Sequence, residues 1–312
     1  MSFAANIKGE LSRLPLRSEC CRRAELAALI LINGNLQLSA GNRMYLNVGT
    51  EHAAIARRLY NMFKLEFEIQ PRILVRKKIR LRKNLSYLVQ IDNQQKSRAV
   101  VAALGILGTD NSLKADTDSR LVVRRCCKRA YLRGCFIAGG SVSNPEHSGY
   151  HMEIATEYSR QASFIQTLLA EFGIKSGNIQ RKQNFVVYIK DSAQIADLLS
   201  LIGTNQGRLI FENAKIYKDI RNNVNRLVNC ETANLNKTVN AAQRQIASIR
   251  RLEQTVGLDS LSPGLRLVAR LRLEFPEATL EELGAAATPP LNKSAVNYRL
   301  RRLQKLADEI LP

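Results

Sequence analysis

The side chains best suited to reading a DNA sequence lie near the end of the chain. Asparagine can form paired hydrogen bonds with adenine, and arginine or lysine with guanine, in the major groove. Lys293, Ser294, Asn297 and Arg301 have such chemistry, and Tyr298 lies beside them. Spacings of three and four residues place side chains on one face of a helix. The pattern predicts a helix whose first turns meet base edges.

Three further basic residues in this helix, Arg299, Arg302 and Lys305, are predicted to meet phosphates instead. Phosphate contacts position a protein on DNA but do not read its sequence. The opposite face of the helix carries an apolar stripe and is predicted to be buried. The stripe has spacings of four, three and three residues and consists of Val296, Leu300, Leu303 and Leu306. The helix is therefore predicted to be amphipathic.

Two shorter helices are predicted to position this one. Ser262-Pro263 is typical of a helix start, and that helix is expected to run to about Phe275. Thr279 and Glu282 have capping-box spacing, and the second helix is expected to end near Ala287, before two prolines. The helix that ends near Ala287 and the basic helix after it are joined by a tight turn, which is the pattern of a helix-turn-helix. We assign Thr279 and Glu282 to this motif as well. The alternative is a three-helix bundle that binds protein.

A basic segment in the first half of the chain suggests a second phosphate surface. Residues 71–98 include nine Lys or Arg and one acid. Alternation at period two within residues 75–83 places cations on one sheet face. The predicted surface consists of Arg76, Lys78, Arg80 and Arg82, with Arg181 and Lys182 from the second half. The alternative is an edge strand protected by its charges against aggregation.

The chain contains an internal duplication with a constant offset of about 106 residues. ECCRRAELAALILINGN begins at Glu19, and RCCKRAYLRGCFIAGGS begins at Arg125; Cys20 aligns with Cys126, and Gly34 with Gly140. Each copy is predicted to fold as helix, two strands, helix, two strands, helix. The strands are expected at residues 36–39, 44–48, 70–83 and 85–92, and at residues 141–144, 150–155, 176–181 and 184–190.

The opening helix of each copy has small residues at every fourth position. Ala24 and Ala28 form this stripe in the first copy, and Ala130, Gly134 and Ala138 in the second. Small side chains let two helix backbones approach closely. The two helices are therefore expected to pack about a pseudo-twofold axis, with the two sheets flanking them as one saddle. The predicted fold class is α+β, followed by an all-α domain.

The predicted organisation has four parts. The two repeats span residues 1–110 and 111–212, an Asn-rich helical connector spans 213–257, and the helix-turn-helix domain spans 258–312. The chain has 47 Lys and Arg against 27 Asp and Glu, a net charge of +20. Such a balance favours a polyanionic partner, and nucleic acid first.

Nothing in the sequence indicates an enzyme cofactor, a metal or a small-molecule substrate. The six cysteines are interpreted as small helix residues, because adjacent cysteines do not easily chelate one metal or form a disulfide. No stretch has the roughly 20 apolar residues of a membrane span, and the N-terminus lacks the apolar segment of a signal peptide. We expect a cytoplasmic, nucleoid-associated protein.

The two duplicated helices resemble degenerate LAGLIDADG motifs, at residues 26–34 and 132–140. In LAGLIDADG homing endonucleases these helices pair at the domain centre, and an acid before the last glycine holds the catalytic divalent metal. The equivalent positions here are Asn33 and Gly139. The resemblance therefore implies the fold without the nuclease chemistry. The alternative is an endonuclease or RNA maturase that uses other acids, such as Glu25, Glu146 or Glu153.

The whole chain resembles the WhiA family of Gram-positive bacteria. The matching segments are MSFAANIKGEL, RAYLRGCFIAGGSV and ELGAAATPPLNKSAVNYRLRRL. The resemblance implies a DNA-binding regulator of transcription or of the nucleoid, tied to sporulation or to cell division and chromosome segregation. It also implies double-stranded DNA as partner, with another transcription or division protein as a further partner of the LAGLIDADG-like domain.

Overall fold

The computed structural model describes residues 2–16, 18–39, 43–77, 85–108, 113–114, 117–147 and 149–310. The chain forms two compact units, Met1–Lys218 and Asp219–Pro312. Their boundary falls within one continuous helix, Asn205–Thr255. The first unit is α+β and the second is helical, as the sequence predicts.

The first half of unit one has the predicted order of elements. Helix α1 (Phe3–Ser12) precedes the repeat, which consists of α2 (Glu19–Asn33), β1 (Gly34–Ser39), β2 (Arg43–Thr50), α3 (Ala53–Phe67), β3 (Arg72–Lys77), β4 (Leu85–Ile91) and α4 (Gln94–Ala103). The strands form an antiparallel sheet in the order β1-β2-β4-β3. The predicted turn at residues 40–42 and the end of the predicted third strand lie outside the described residues.

The second half repeats this topology. A short 3₁₀ helix (Ser119–Val122) leads into α5 (Arg125–Gly139), β5 (Gly140–Val142), β6 (Met152–Thr156), α6 (Ser159–Glu171), β7 (Gly177–Arg181), β8 (Asn184–Ile189) and α7 (Ser192–Ile202). The strand order β5-β6-β8-β7 matches that of the first sheet. The predicted duplication is therefore confirmed.

Each sheet buries one face, as period-two alternation requires. In the first sheet Leu46 and Val48 of β2 and Val89 and Ile91 of β4 are buried in the core. The residues between them on these strands face the other way. Helices α1 to α7, Phe211 of α8 and the buried face of the second sheet join the buried residues of the first sheet in one continuous core.

The paired helices α2 and α5 approach each other closely at the predicted small residues. A Cβ atom added to Gly134 would lie 2.6 Å from the backbone oxygen of Glu25 and 2.8 Å from Cβ of Ala28. Only a residue without a side chain fits this crossing. The small-residue stripe therefore has the predicted role of bringing the two repeats together.

The long helix α8 (Asn205–Thr255) begins earlier than the predicted connector at residue 213. The carboxylate of Glu10 accepts hydrogen bonds from the backbone amides of Gln206 and Gly207, each at 2.9 Å. These amides belong to the first turn, where a helix has unpaired donors. Phe211, in the second turn, stacks on Phe3 of α1 with ring centroids 6.3 Å apart. The first part of α8 is thus fixed to unit one.

Unit two contains the remainder of α8, a short 3₁₀ helix (Leu258–Ser260), α9 (Pro263–Glu274), α10 (Leu280–Ala286) and α11 (Lys293–Ile310). Ile249 and Leu252 of α8 join Val268 of α9 and Leu283 of α10 in one buried core. The three short helices have the predicted boundaries within about two residues, the usual uncertainty of helix ends.

Helix pairing also brings four cysteines together. Cys20 and Cys21 begin α2, and Cys126 and Cys127 begin α5. Their four Sγ atoms all lie within 4.8 Å of one another. Sequence reasoning weighed each adjacent pair alone and missed this cluster, although the 106-residue offset relates the two pairs.

The helices in the described part of the chain lack any stretch long and apolar enough to cross a lipid bilayer.

Candidate nucleic-acid interface

The last helix, α11, is fixed by its apolar face. Val296, Leu300, Leu303 and Ala307 are buried in the core of unit two. Leu306, predicted for this stripe, packs at its edge as a half-buried residue. The Asn292 side chain caps the helix by accepting a hydrogen bond from the Ala295 amide at 2.8 Å. One face is therefore held against α9 and α10, and the other is presented outward.

Most of the residues predicted to meet DNA share that outward face. Those that are exposed are Lys293, Ser294, Tyr298, Arg301, Arg302 and Lys305. Tyr298 is 72% exposed, which is a high exposure for a large aromatic side chain. Asn297 lies beside them and is half-buried. The face combines an aromatic ring, an amide and several cations, a composition suited to a nucleic acid.

Three of the predicted residues have contacts within the unit, and one of them, Lys305, lies 3.8 Å from Glu309 one turn away on the same helix. Lys293 Nζ lies 3.2 Å from Glu281 Oε1 of α10, and both side chains are largely exposed. An exposed pair of this kind contributes little to stability, so Lys293 can exchange this partner for a phosphate or a base. Arg299 is half-buried, and its guanidinium lies against Gly264 of α9. Arg299 thus helps to join α9 to α11.

Thr279 and Glu282, assigned to the helix-turn-helix from the sequence, form the predicted capping box of α10. The Thr279 hydroxyl accepts from the Glu282 amide at 3.3 Å, and the Glu282 carboxylate accepts from the Thr279 amide at 2.7 Å. The backbone hydrogen bond from Thr279 lowers the pKa of Glu282. Both side chains therefore stabilise the start of α10, the helix that precedes α11.

Replacing Thr279 with alanine is expected to destabilise unit two by about 1 kcal/mol, the usual cost of losing an N-cap oxygen. Thr279→Ser keeps that oxygen and is the matched control. Because Glu282 has a lowered pKa when folded, its contribution is present above the ordinary carboxyl pKa and is lost as pH falls through the folded value. Urea unfolding at neutral and acidic pH measures both effects. Equal stability of the alanine and serine variants would contradict this role.

Close packing fixes the turn between α10 and α11. A Cβ atom added to Gly284 would lie 2.2 Å from the backbone oxygen of Leu291. The Leu291 amide donates a hydrogen bond to the Gly284 carbonyl at 2.9 Å. This contact holds the two helices in the relation that a helix-turn-helix needs to place its second helix in the major groove.

The outward face of the first sheet bears a row of amides that sequence reasoning missed. Gln37, Asn47 and Gln90 lie on adjacent strands, β1, β2 and β4. Asn47 accepts a hydrogen bond from Gln90 at 2.8 Å and donates one to Gln37 at 3.3 Å. Arg72 of β3 is directly opposite Gln90, and Arg76 is on the same face, four residues further along β3. The alternation of these strands could have revealed the row.

The predicted basic residues of this surface are only partly described. Arg76 is exposed on β3, at the edge of the first sheet. Lys78, Arg80 and Arg82 lie outside the described residues. Arg72 faces Asp92 at 3.0 Å.

The second sheet presents a more balanced face. Arg181, at the end of β7, lies 3.3 Å from the carboxylate of Glu153, and that carboxylate lies 3.2 Å from His151. Lys182 occupies the turn after β7 in a left-handed conformation, with φ of 57°. Glu153 therefore offsets part of the charge predicted for this side of the saddle.

The two positions equivalent to the LAGLIDADG acids lie at the ends of α2 and α5. The Asn33 side chain donates a hydrogen bond to the Ala138 carbonyl at 3.4 Å. A Cβ atom added to Gly139 would lie 2.2 Å from the backbone oxygen of Ala155 on β6. An aspartate at position 139 would require β6 to move. The backbone here is built around glycine, which excludes a carboxylate at this position.

The substitute acids considered from the sequence are poorly placed for metal catalysis. Glu25 is buried and paired with Arg58, and Glu153 is paired as described above. Glu146 is exposed in the loop between β5 and β6. A different acid, Glu51, lines a cavity of about 330 Å³ beside Asn33, together with Lys8 and His52. Magnesium ions prefer carboxylate oxygens, and the position in the second repeat that is equivalent to the motif acid is Gly139, which has no side chain.

Lys8 in this cavity gives a pH-dependent prediction. Burial lowers the pKa of the Lys8 amine from 10.5 to about 8, against the opposing attraction of Glu51. Between those values the unfolded chain binds a proton that the folded chain does not, so the contribution of Lys8 to stability rises with pH. We expect Lys8→Met to be more stable than the parent at pH 7, with the difference shrinking by pH 10.

Urea unfolding of both proteins across this range provides the measurement. Lys96→Met, on an exposed position of α4, is the matched control and should leave the pH dependence unchanged. If the free energies of unfolding of the parent and of Lys8→Met differ by the same amount at pH 7 and at pH 10, the lowered pKa of Lys8 is contradicted.

Comparison with known proteins identifies relatives over the full length. Family models match at residues 19–107 (WhiA N-terminal LAGLIDADG-like domain), 128–221 (WhiA LAGLIDADG-like domain) and 224–307 (WhiA C-terminal HTH domain). The chain is 45% identical to the "Probable cell division protein WhiA" of Alkaliphilus metalliredigens, over 99% of this chain and 98% of the relative. It is 47% identical to the protein of the same name from Desulforudis audaxviator, over 100% and 98%.

Among solved structures, the chain is similar to full-length DUF199/WhiA from Thermatoga maritima. The TM-score is 0.58 and the sequences are 26% identical, over 99% of each chain.

Proposed function

The chain belongs to the WhiA family, and we propose that it is a DNA-binding regulator that acts in cell division and has no nuclease activity. The proposal includes a role in chromosome segregation and, in cells that sporulate, a role in sporulation. The relatives are named as probable cell division proteins, and the match includes a C-terminal helix-turn-helix domain.

The exposed face of α11 is the observation that supports DNA binding most strongly. Its amide and guanidinium groups, Asn297 and Arg301, have the donor and acceptor patterns that read adenine and guanine. Arg302 and Lys305 extend the same face toward the helix end, where they are suited to flanking phosphates. In this proposal α11 lies in the major groove and α9 and α10 hold it there.

The absence of nuclease activity is supported by packing as well as by composition. Gly139 has no space for the missing acid, and Glu25 is neutralised by an arginine inside the core. A carboxylate paired in this way is a poor ligand for Mg²⁺, which prefers accessible oxygen donors. The rival function, a LAGLIDADG endonuclease or RNA maturase, would need ligands that the two repeats do not place at the motif ends.

We further propose that the outward face of the first sheet contacts a second stretch of DNA. Asn47 is buried and links the amides of Gln37 and Gln90. Arg72 is opposite Gln90, and Arg76 lies further along the same face of β3. Amides and arginines on a sheet can contact both phosphates and base edges. When one of two linked modules binds DNA, the effective concentration of the other module near that DNA rises. The pair therefore binds more tightly than either module alone, provided that both reach the same DNA molecule. The alternative is that this face binds a protein partner.

Charge reversal distinguishes the two roles of the sheet. Changing Arg76, Arg80 and Arg82 to glutamate should lower the slope of log K against log salt by about 0.9 for each phosphate that the protein no longer neutralises. Lys64→Glu, an exposed change at the end of α3, is a control for the effect of one charge reversal elsewhere in unit one. An unchanged slope in the triple variant would favour the protein-binding role and leave α11 as the DNA-binding element.

A further inference from the structure

The four clustered cysteines form a ligand set that the DNA-binding proposal does not use. Cys20 and Cys21 lie in the first turn of α2, and Cys126 and Cys127 in the first turn of α5. All four Sγ atoms lie within 4.8 Å of one another, and those of Cys126 and Cys127 are 3.9 Å apart. The other two cysteines, Cys135 and Cys230, lie outside this group.

These separations suit a tetrahedral metal ion. Zinc bound by four thiolates has Zn–S distances of about 2.3 Å, which places the sulfur atoms about 3.8 Å apart. The longest separation in the cluster needs to shorten by only about 1 Å to reach this arrangement. A disulfide needs an S–S distance of about 2.05 Å and uses two sulfur atoms. Convergence of all four thiols therefore favours a metal over a single cross-link.

Helix N-termini and cationic side chains surround the cluster. Both pairs lie at helix N-termini, where the helix dipole and unpaired amides stabilise negative charge. A cavity of about 500 Å³ opens beside Cys20 and Cys127 and is lined by Arg23, Arg120 and Arg124. Four thiolates and one zinc ion have a net charge of −2. Arg23 already pairs with Glu19 and Glu66, and Arg120 with Asp118, so the guanidinium groups offset only part of that charge.

Access and burial are also consistent with a structural site. Cys127 is buried, Cys20 and Cys21 are half-buried, and Cys126 is exposed. A metal ion can therefore reach the cluster from the Cys126 side. Zinc is bound by deprotonated cysteines, so its binding releases the protons of the four thiols.

We propose that Cys20, Cys21, Cys126 and Cys127 bind one Zn²⁺ ion, which links the N-terminal ends of the paired helices α2 and α5. The ion has no open coordination position in this arrangement, so its role is structural. It joins the two repeats at residues more than 100 positions apart in the sequence. Because the ligands come from both repeats, zinc would stabilise the interface between them.

The test uses the full-length protein, purified under reducing conditions without chelator. Elemental analysis is expected to find one zinc per chain. The double variant Cys20→Ser/Cys126→Ser should lose this zinc, whereas Cys230→Ser, an exposed cysteine on α8, should retain it. Exchange of zinc for Co²⁺ should produce thiolate-to-cobalt charge-transfer absorption in the parent and in Cys230→Ser, but not in the double variant.

A single substitution keeps the test valid if the double variant does not fold. Cys126→Ser changes the one exposed ligand and should preserve helical circular dichroism while losing the four-thiolate cobalt spectrum. Reduced protein that holds no zinc and gives no charge-transfer band with Co²⁺ would overturn the proposal. A disulfide between the two pairs that persists in the presence of zinc would also overturn it and would make the cluster a redox pair.

Discussion

Replacing Asn297 and Arg301 together with alanine is expected to abolish the preference for a specific DNA site. Losing one pair of hydrogen bonds to a base costs about 1–3 kcal/mol of discrimination against the wrong base. This corresponds to about a 5- to 150-fold change in the ratio of affinities. Arg301 is exposed on the outward face of α11, and Asn297 is half-buried beside it; neither belongs to the buried stripe of Val296 and Leu300. The effect should therefore appear in binding and not in folding.

The measurement compares affinity for a selected genomic site with affinity for a scrambled one at fixed salt. Arg270→Ala is the matched control, because it removes one positive charge from α9, where Arg270 pairs with Asp259 at 2.9 Å. The control should weaken both affinities alike or not at all. A double variant that keeps the parental ratio of affinities would show that another element reads the site.

Replacing Glu25 with glutamine is expected to destabilise unit one by about 3–5 kcal/mol, the usual cost of leaving a buried charge without its partner. Glu25 and Arg58 are 3% and 2% exposed, and one of their two hydrogen bonds, from Arg58 Nη2, is 2.9 Å long. Arg133 of α5 approaches the same carboxylate at 3.5 Å. Loss of the carboxylate would therefore leave two arginines without their buried counter-charge.

Glu19→Gln is the matched control for this substitution. Glu19 pairs with Arg23 one turn away, but the two side chains are 61% and 40% exposed. Exposed pairs contribute at most about 1 kcal/mol, so the control should unfold near the parental midpoint. Denaturant unfolding followed by circular dichroism measures both variants. Similar losses of stability in the two variants would contradict the buried role of Glu25 and would reopen its use as a metal ligand.

Local patterns predicted the elements of the two repeats and of the helix-turn-helix, and their order, but not helix α1 or the early start of α8. The period-two strands, the capping box at Thr279 and the proline at Pro263 all act within a few residues, and the structure places each where the sequence indicated. The duplication predicted the shared topology of the two sheets for the same reason, since similar sequences impose similar local preferences.

Features that depend on contacts between distant residues were not predictable in this way. The ion pair between Glu25 and Arg58 and the cysteine cluster each join separate elements. The space beside Gly139 depends on β6, which begins thirteen residues later at Met152. Spacing along one helix cannot show which backbone atom will lie against it.

The helix-turn-helix illustrates both situations. Its outward residues were predicted from spacing on one helix, but the contact between Arg299 and Gly264 depends on how α9 packs against α11. Thr279 and Glu282 were assigned to the DNA-binding set, and the structure engages both side chains in the cap. We therefore expect their substitution to affect DNA binding through the stability of α10.

The most direct test of the central claim measures binding and DNA integrity together. A labelled genomic DNA pool is incubated with the full-length protein and Mg²⁺ across a salt series, with the Asn297→Ala/Arg301→Ala variant in parallel. We predict intact DNA, selective binding by the parent that weakens steeply with salt, and loss of selectivity in the variant. Mg²⁺-dependent cutting at a defined site would contradict the account and would identify the chain as a nuclease.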